Sequence, residues 1–365
     1  MDGNPKSEIR NPKSRILMTT TDHKSLLNRL LAGKDLSSVE MEEFIGVVMD
    51  GDVEDAVIAA VLVALRAKTE TGVEIAAAAR AMRARSLAVE IADPGLAVDT
   101  CGTGGDGAET INISTAAALL AAAAGVPVAK HGNRSVSSRC GSADVLEAAG
   151  VRLDQSPEDM AALHDEVGIA FLFAPRLHPA MAAVMPVRRA LGVRTVFNLL
   201  GPLTNPAGVE RQVVGVWGRE VQTLMASALA ELGARYALVV HSDDGLDEIS
   251  VSAPTTVIEV RDGDIAGEWC VEPGDLGIAA SDPESLRGGD AAENLRRMRA
   301  VLGGDESSAA AEAVALNAAA ALMVAGLAGD LRQGLDRSRE VLRSGAALEI
   351  LEELAKRSVG IADDV

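Results

Sequence analysis

Residues 96–115 constrain this chain more than any other stretch. Leu96, Ala97 and Val98 read as part of a buried strand, and Gly102-Thr103-Gly104-Gly105-Asp106-Gly107 follows at once. A helix start reads at Asn112–Thr115. A strand that runs through a glycine-rich turn into a helix opens a β-α unit. Glycine lets the backbone approach a ligand closely, and the free N–H groups of a helix start attract anions. The segment is therefore read as a phosphate cradle. An ordinary tight turn is the plain alternative, and on the loop alone the two readings are level.

The downstream charges separate them. The loop matches G-x-G-x-x-G, but a dinucleotide site needs an acidic residue roughly 20 positions on to hold a ribose hydroxyl. From Ile111 to Ala143 there is no Asp or Glu, while Lys130, Arg134 and Arg139 are present. No Gly-Lys-Ser/Thr follows the glycines, so a Walker A loop is absent as well. This basic window stands in a chain of net charge −19, which argues against general binding to nucleic acid or an anionic membrane. A second acid-free window, Val167–Val209, carries Arg176, Arg188, Arg189 and Arg194. Two such windows predict a substrate with several negative charges, or two anionic substrates.

From residue 96 the chain alternates strand-like runs (96–100, 126–130, 169–173, 212–217, 236–241, 255–260) with helical patterns, which predicts an α/β domain with a mostly parallel sheet. Residues 22–90 read as wholly helical, with a Ser37/Glu40 capping box and further helices at 54–68 and 72–86. The last portion, 291–356, is helical again. The expected organisation is a polar, disordered extension over 1–21, a small α-helical domain over 22–92, and a large α/β domain over 93–365. Cys101, Cys140 and Cys270 fit neither a disulfide framework nor a zinc site, which suits a reducing, cytoplasmic setting. No apolar run reaches spanning length, and no signal-peptide core reads at the start.

Two further elements carry chemistry. The run KHGNRSVSS (130–138) follows the apolar Val126–Ala129, so it is placed at a strand's carboxyl end, where open α/β sheets bind ligands. Its lysine, arginine and hydroxyls suit a phosphate or pyrophosphate. Asp243, Asp244, Asp247 and Glu248 set four carboxylates within six residues beyond the strand pattern 236–241. Hard oxygen donors beside a phosphate site point to Mg²⁺ shared with a diphosphate, and the spacing is not that of an EF-hand.

Taken in order, GTGGDG, INIST, KHGNRSVSS, GSAD, HPAM, PVRRALGVRTVFNLLGPLTNPA, DGLDEIS, NAAAALMVAG and SGAALEILEEL resemble the anthranilate phosphoribosyltransferase family over roughly residues 22–356. The resemblance implies a helical domain and an α/β domain with the site in the cleft between them, the segment at about 175–200 joining the helical domain. It implies a homodimer paired through that domain, and transfer of a phosphoribosyl group from phosphoribosyl pyrophosphate to anthranilate in tryptophan biosynthesis. Carried over to this chain, Gly102, Gly105, Asp106 and Thr110 would contact the sugar diphosphate. Asn112, Ile113, Ser114 and Thr115 would hold phosphate at the helix start. Lys130, His131, Gly132, Asn133, Arg134, Ser135, Val136, Ser137, Ser138 and Ser142 would complete that site, Lys130 and Arg134 stabilising the transition state without a covalent nucleophile. Gly102, Asn133, His178 and Arg188 would face anthranilate, and Ser114, Asp247 and Glu248 would ligate two Mg²⁺ ions per monomer. Met181, where some relatives carry an aromatic residue, lies on the same entry path, and Ile111 replaces a frequent Phe.

Plainer roles are expected elsewhere. Arg189 and Arg194 read as solvated or helix-capping, Asp243 and Asp244 as a solvated turn, and His164, His241, Trp217 and Trp269 as packing or surface residues. Two rival functions are weighed. A pyrimidine nucleoside phosphorylase shares the architecture but has no use for an Asp247–Glu248 metal pair. A nucleic-acid-binding, non-enzymatic relative is opposed by the acidic charge.

Overall fold

Helix caps and apolar faces build the first ninety residues. The computed structural model describes residues 20–135, 139–304 and 308–360, with side chains from His23 onward. The extension expected over 1–21 therefore lies, up to residue 19, outside the described residues, as do Val136, Ser137 and Ser138. Four helices follow one another: α1 (Thr20–Leu31), α2 (Ser38–Met49), α3 (Asp55–Lys68) and α4 (Gly72–Arg83). The Ser37/Glu40 capping box starts α2, and a second box, Thr71/Glu74, starts α4. Helix ends at Arg83, not near residue 90; most of 84–97 is irregular and leads into the sheet.

The α/β part runs β1 (Val98–Gly102), α5 (Ile113–Ala123), β2 (Val128–Gly132), α6 (Ser142–Ala148), α7 (Pro157–Val167), β3 (Ile169–Phe173), α8 (Ala174–Leu177), α9 (Met185–Leu191), β4 (Arg211–Gly215), α10 (Arg219–Glu231), β5 (Tyr236–Ser242), β6 (Thr255–Arg261) and β7 (Asp264–Val271). Four helices close the chain: α11 (Ala291–Leu302), α12 (Ala309–Ala325), α13 (Leu331–Ser344) and α14 (Ala346–Gly360). The sheet order is β3-β2-β1-β4-β5-β6-β7; β3 to β5 pair in parallel, and β6 and β7 add an antiparallel edge. The mostly parallel sheet expected from the alternation is present. Strand β7, absent from the sequence reading, is exposed along most of its length and lacks a continuous apolar run.

The sheet divides two hydrophobic cores, as period-two alternation requires of a sheet covered on both faces. Val213, Leu238 and Val240 point into a core made with α5, α12 and α14. Val214, Ala237 and Val239 point into the other, which is continuous with the cores of α2, α3 and α4, with α10, and with Val184, Val187, Val196 and Phe197. With four Phe, two Trp and one Tyr in the chain, alanine does much of the packing: Ala318, Ala319, Ala320 and Ala321 of α12 are fully buried.

Candidate functional site

In an open α/β sheet the crevice opens where strand order reverses, at the strands' carboxyl ends. Here the chain leaves β1 first for β2 and β3 and later for β4, so the reversal lies between β1 and β4. Gly102 and Gly215, the last residues of those strands, are register partners.

The glycine loop is fixed from that point. Thr103 donates its N–H to the Gly215 carbonyl at 2.9 Å, and Gly104 donates to Asp247 Oδ2 at 2.9 Å. Gly104, Gly105 and Gly107 take φ of 65°, 79° and 77°, a region that side-chain-bearing residues avoid. A Cβ on Gly102 would stand 2.7 Å from Asp247 Oδ2. Further along, Thr110 bridges to Arg287, and Asn112 stands at the N-cap position of α5 with its side chain bonding the Cys140 carbonyl and the Asn294 amide instead of the helix. Ile113 and Thr115 are buried at the helix start. The Ser114 N–H already points at an anion, the chain's own Glu248 carboxylate, at 3.1 Å.

Asp247 and Glu248 thus bind the carboxyl end of β5 to the glycine loop and to the start of α5. Each keeps only a part-open face to solvent. Burial pushes both carboxyl groups well above the usual range; Asp106 pushes Asp247 further and Asp247 pushes Glu248, while Lys130 acts against the rise at Glu248. Clustered carboxylates suit a divalent metal. Among the described residues no three His, Cys, Asp or Glu close into a ready-made cage. Mg²⁺ usually takes one or two carboxylates and completes its shell with water and substrate oxygens. The loop is braced from beneath: Asn317 bonds both the N–H and the carbonyl of Ile249, and Asp244 Oδ2 accepts from Ser250 Oγ at 2.6 Å. Asp244, an exposed turn residue as expected, also braces the loop.

Strand β2 delivers the second loop. Lys130 is 3% exposed; its ammonium donates to the Thr100 carbonyl and lies 3.4 Å from Ser114 Oγ. It therefore sits under the glycine loop and the start of α5. Asp99, on β1, is fully buried and accepts from His131 N–H at 3.1 Å and from Asn205 Nδ2 at 2.9 Å; burial lifts its carboxyl to about 6. Gly132 and Gly141 leave no room for a Cβ, which would meet the Phe171 ring at 2.5 Å and Ser135 N at 2.3 Å respectively. Ser142 Oγ donates to the Asn133 carbonyl, and Asp144 accepts from the N–H groups of Ser135 and Gly141, closing the loop. Arg134 is paired with Asp144 and Glu147 at 2.9 and 2.7 Å.

His131 and His178 meet ring to ring, Nε2 to Nε2 at 3.2 Å. His131 Nδ1 lies 3.0 Å from the Gly201 carbonyl, which can only accept, so that nitrogen carries the proton. His131 Nε2 is then the acceptor and His178 Nε2–H the donor. Burial holds both imidazoles neutral, at about 3 for His131, which also feels His178, and about 4 for His178. An unfolded chain binds protons on these groups from about pH 6.5 downward, whereas the fold refuses them. The pair's stabilisation is complete above pH 6.5 and is lost as pH falls toward 4. The raised carboxyls of Asp99, Asp247 and Glu248 work in the opposite sense. The pair is therefore read as a difference: His178→Gln, which keeps a donor toward His131, should flatten the stability slope between pH 6.5 and 4.5 by about 1.4 kcal/mol per pH unit. Urea unfolding at pH 7, 6 and 5 measures this; equal slopes in the two proteins would refute it.

Arg188, on α9, stacks 5.8 Å from the Phe197 ring and is part-buried. Arg194, expected to be solvated or capping, is exposed but not free. It lies 4.3 Å over the Trp217 ring and donates to the Gly105 carbonyl at 2.6 Å. Trp217 thereby becomes a support of the glycine loop, a role that no local pattern announces. Gly215, Asn205 and Asn317 escape a sequence reading for the same reason, because each acts on residues distant in the chain.

Comparison with known proteins agrees with this geometry. Residues 95–348 match the family model described as glycosyl transferase family, a/b domain, and residues 24–86 match its helical bundle domain. The chain is 49% identical over 331 residues to anthranilate phosphoribosyltransferase of Desulfatibacillum aliphaticivorans, covering 91% of this chain and 97% of that protein. It is 50% identical over 341 residues to the same enzyme of Thermomicrobium roseum, covering 93% and 98%. The crystal structure of anthranilate phosphoribosyltransferase from Thermus thermophilus superposes with a TM-score of 0.86 at 45% identity, covering 91% of this chain and 99% of that one. The Saccharomyces cerevisiae enzyme in complex with PRPP and Mg does so with a TM-score of 0.86 at 27% identity, covering 94% and 99%.

Proposed function

The chain belongs to the anthranilate phosphoribosyltransferase family, and from that premise we propose how its own residues carry the reaction. It transfers the phosphoribosyl group of phosphoribosyl pyrophosphate to the amine of anthranilate, releasing pyrophosphate, a step of tryptophan biosynthesis. The observation that carries the residue assignment is the meeting of the glycine loop, the start of α5 and the Asp247–Glu248 turn at one crevice.

In this reading Gly102, Gly105, Asp106 and Thr110 line the diphosphate, and the start of α5 (Asn112, Ile113, Ser114, Thr115) holds phosphate. Residues 130–138 and Ser142 wrap it from the β2 side. Asp247, Glu248 and Ser114 would hold two Mg²⁺ ions, which when bound neutralise the diphosphate charge. Lys130 fixes Ser114 and Thr100 and brings its positive charge beneath the leaving group. Arg134 takes part by exchanging Asp144 and Glu147 for phosphate oxygens. Gly102, Asn133, His178 and Arg188 face anthranilate, whose aromatic amine is neutral at pH 7 and needs no base to attack C1. Positioning then supplies much of the rate. A covalent nucleophile has no part: burial drives the Cys101 thiol far up and the Cys140 thiol to about 11, leaving both unreactive.

The same reading assigns residues 22–92, joined by 175–200, to a helical unit, and 93–365 to the α/β unit. It pairs two copies through the helical unit, where Leu31, Val39 and Val63 leave apolar surface exposed. It places the enzyme in the cytoplasm; among the described residues no helix is long and apolar enough to cross a membrane. The direct test follows anthranilate fluorescence with phosphoribosyl pyrophosphate, with and without Mg²⁺. Loss of signal only with the metal is the expected result, and none in either case would sink the assignment. Arg188→Ala should raise the KM for anthranilate roughly 10- to 100-fold, the equivalent of one charge-assisted hydrogen bond, and move that for phosphoribosyl pyrophosphate far less. Steady-state kinetics in both substrates decides it.

A further inference from the structure

Three observations meet behind Arg194, away from the Asp247–Glu248 cluster. The first is a cavity of about 500 Å³ between the end of α3, the start of α10 and the 194–199 segment. The second is Glu70, which lines it: the residue is 2% exposed, and neither carboxylate oxygen has a hydrogen-bond partner among the described residues. A buried carboxylate left without a partner is costly, and a native fold that keeps one asks for a reason. The third is the backbone that puts it there. Thr69 takes φ 75°, a left-handed conformation that a β-branched residue rarely adopts. Lys68 holds the Thr69 carbonyl at 2.9 Å and pairs with Asp35 and Glu74, and the Thr71/Glu74 box then starts α4. This clamp turns Glu70 inward. Strain of this kind gathers at ligand sites.

The walls define the ligand. Glu70 offers a buried acceptor, and at the exposed rim Arg66 offers a cation and Glu220 a second, solvated carboxylate. Leu199, Leu224 and the Trp217 ring supply apolar surface between them. Arg194 closes the side toward the glycine loop, already committed to Trp217 and the Gly105 carbonyl. We propose that this cavity is a binding site, separate from the substrate crevice, for a small zwitterion with an apolar body. The ammonium group meets Glu70, the carboxylate meets Arg66, and the body lies along Leu199, Leu224 and Trp217. The inference does not depend on the substrate assignment, because it uses none of those residues.

Trp217 is its own reporter, since Trp269 is the chain's other tryptophan. In the full-length Trp269→Phe protein, L-phenylalanine should shift Trp217 emission saturably at millimolar concentration or below. Glycine, lacking the body, and 3-phenylpropionate, lacking the ammonium, should bind about ten-fold more weakly or not at all. Glu70→Gln should abolish the response to L-phenylalanine. Arg66→Ala, at the exposed mouth where folding is not at stake, should weaken L-phenylalanine about ten-fold and leave phenethylamine unchanged. No saturable response to L-phenylalanine, equal binding of 3-phenylpropionate, or an undiminished response in Arg66→Ala would overturn the proposal.

Discussion

Gly215→Ala should cost more than any other single methyl group in the crevice. A Cβ there would stand 1.6 Å from the Asp247 carbonyl oxygen and 2.6 Å from its carbon, both backbone atoms that no side-chain rotation can remove. The 243–250 turn must move as a body or β4 must retreat. Asn317 and Thr255 tie the turn down through Ile249 and Ser250, and β1 and β5 flank β4. Overpacking of this kind costs about 1–3 kcal/mol and sometimes more. The loss of activity should be larger than the loss of stability. The same shift breaks the Thr103–Gly215 bond and carries Asp247 away from Gly104 and Glu248 away from Ser114. A displacement of about 1 Å in a catalytic arrangement can cost roughly 10²-fold in rate. The expected result is a folded protein with kcat/KM lowered at least about 100-fold and a weaker dependence on Mg²⁺. Wild-type kinetics in this variant would mean that the turn is far softer than its hydrogen bonds indicate.

Glu248→Gln should separate stability from function. Gln keeps an oxygen for the Ser114 N–H but removes one of the clustered negative charges. The wild-type carboxyl is raised, so the fold favours its protonated form while the unfolded chain ionises it above about pH 4.5. Wild-type stability therefore falls as pH rises through neutrality, and the amide escapes that loss. In EDTA at pH 7.5 the variant should be more stable than wild type by about 1 kcal/mol, a small rise in Tm. Its activity should drop at least about 100-fold, as when a group that stabilises developing charge is removed. The stabilisation given by Mg²⁺ with phosphoribosyl pyrophosphate should shrink with it. Calorimetry in EDTA and with both ligands, together with an activity assay, reads all three effects. Unchanged stability in EDTA together with full activity would remove Glu248 from the metal assignment.

What the sequence made legible follows from what is local. Strands β1 to β6 stand within about two residues of the apolar runs that predicted them, because buried parallel strands need continuous apolar surface. Strand β7 escaped because it is an exposed edge, yet a signal was there: Asp262-Gly263, with φ of 48° and 81°, forms the two-residue turn that joins β6 to β7. The charge windows mark basic segments but not the direction of each side chain. Lys130 reads as a phosphate ligand by composition and is found beneath the loop; Arg134 reads the same way and is found in an ion pair. Arg194 on Trp217, Asn205 on Asp99 and Asn317 on Ile249 join residues 23 to 106 positions apart, and no local pattern encodes such pairs.

The core that the helices α2, α3 and α4 share with one face of the sheet has a consequence for unfolding. Those helices join the core of Val214, Val216, Ala237 and Val239 by packing on α10 and on the 184–203 segment. A chain begun at residue 93 would bare the apolar sides of α10 and of that segment to water and invite aggregation. The two lobes should accordingly melt together in one cooperative transition, neither outliving the other as a folded fragment.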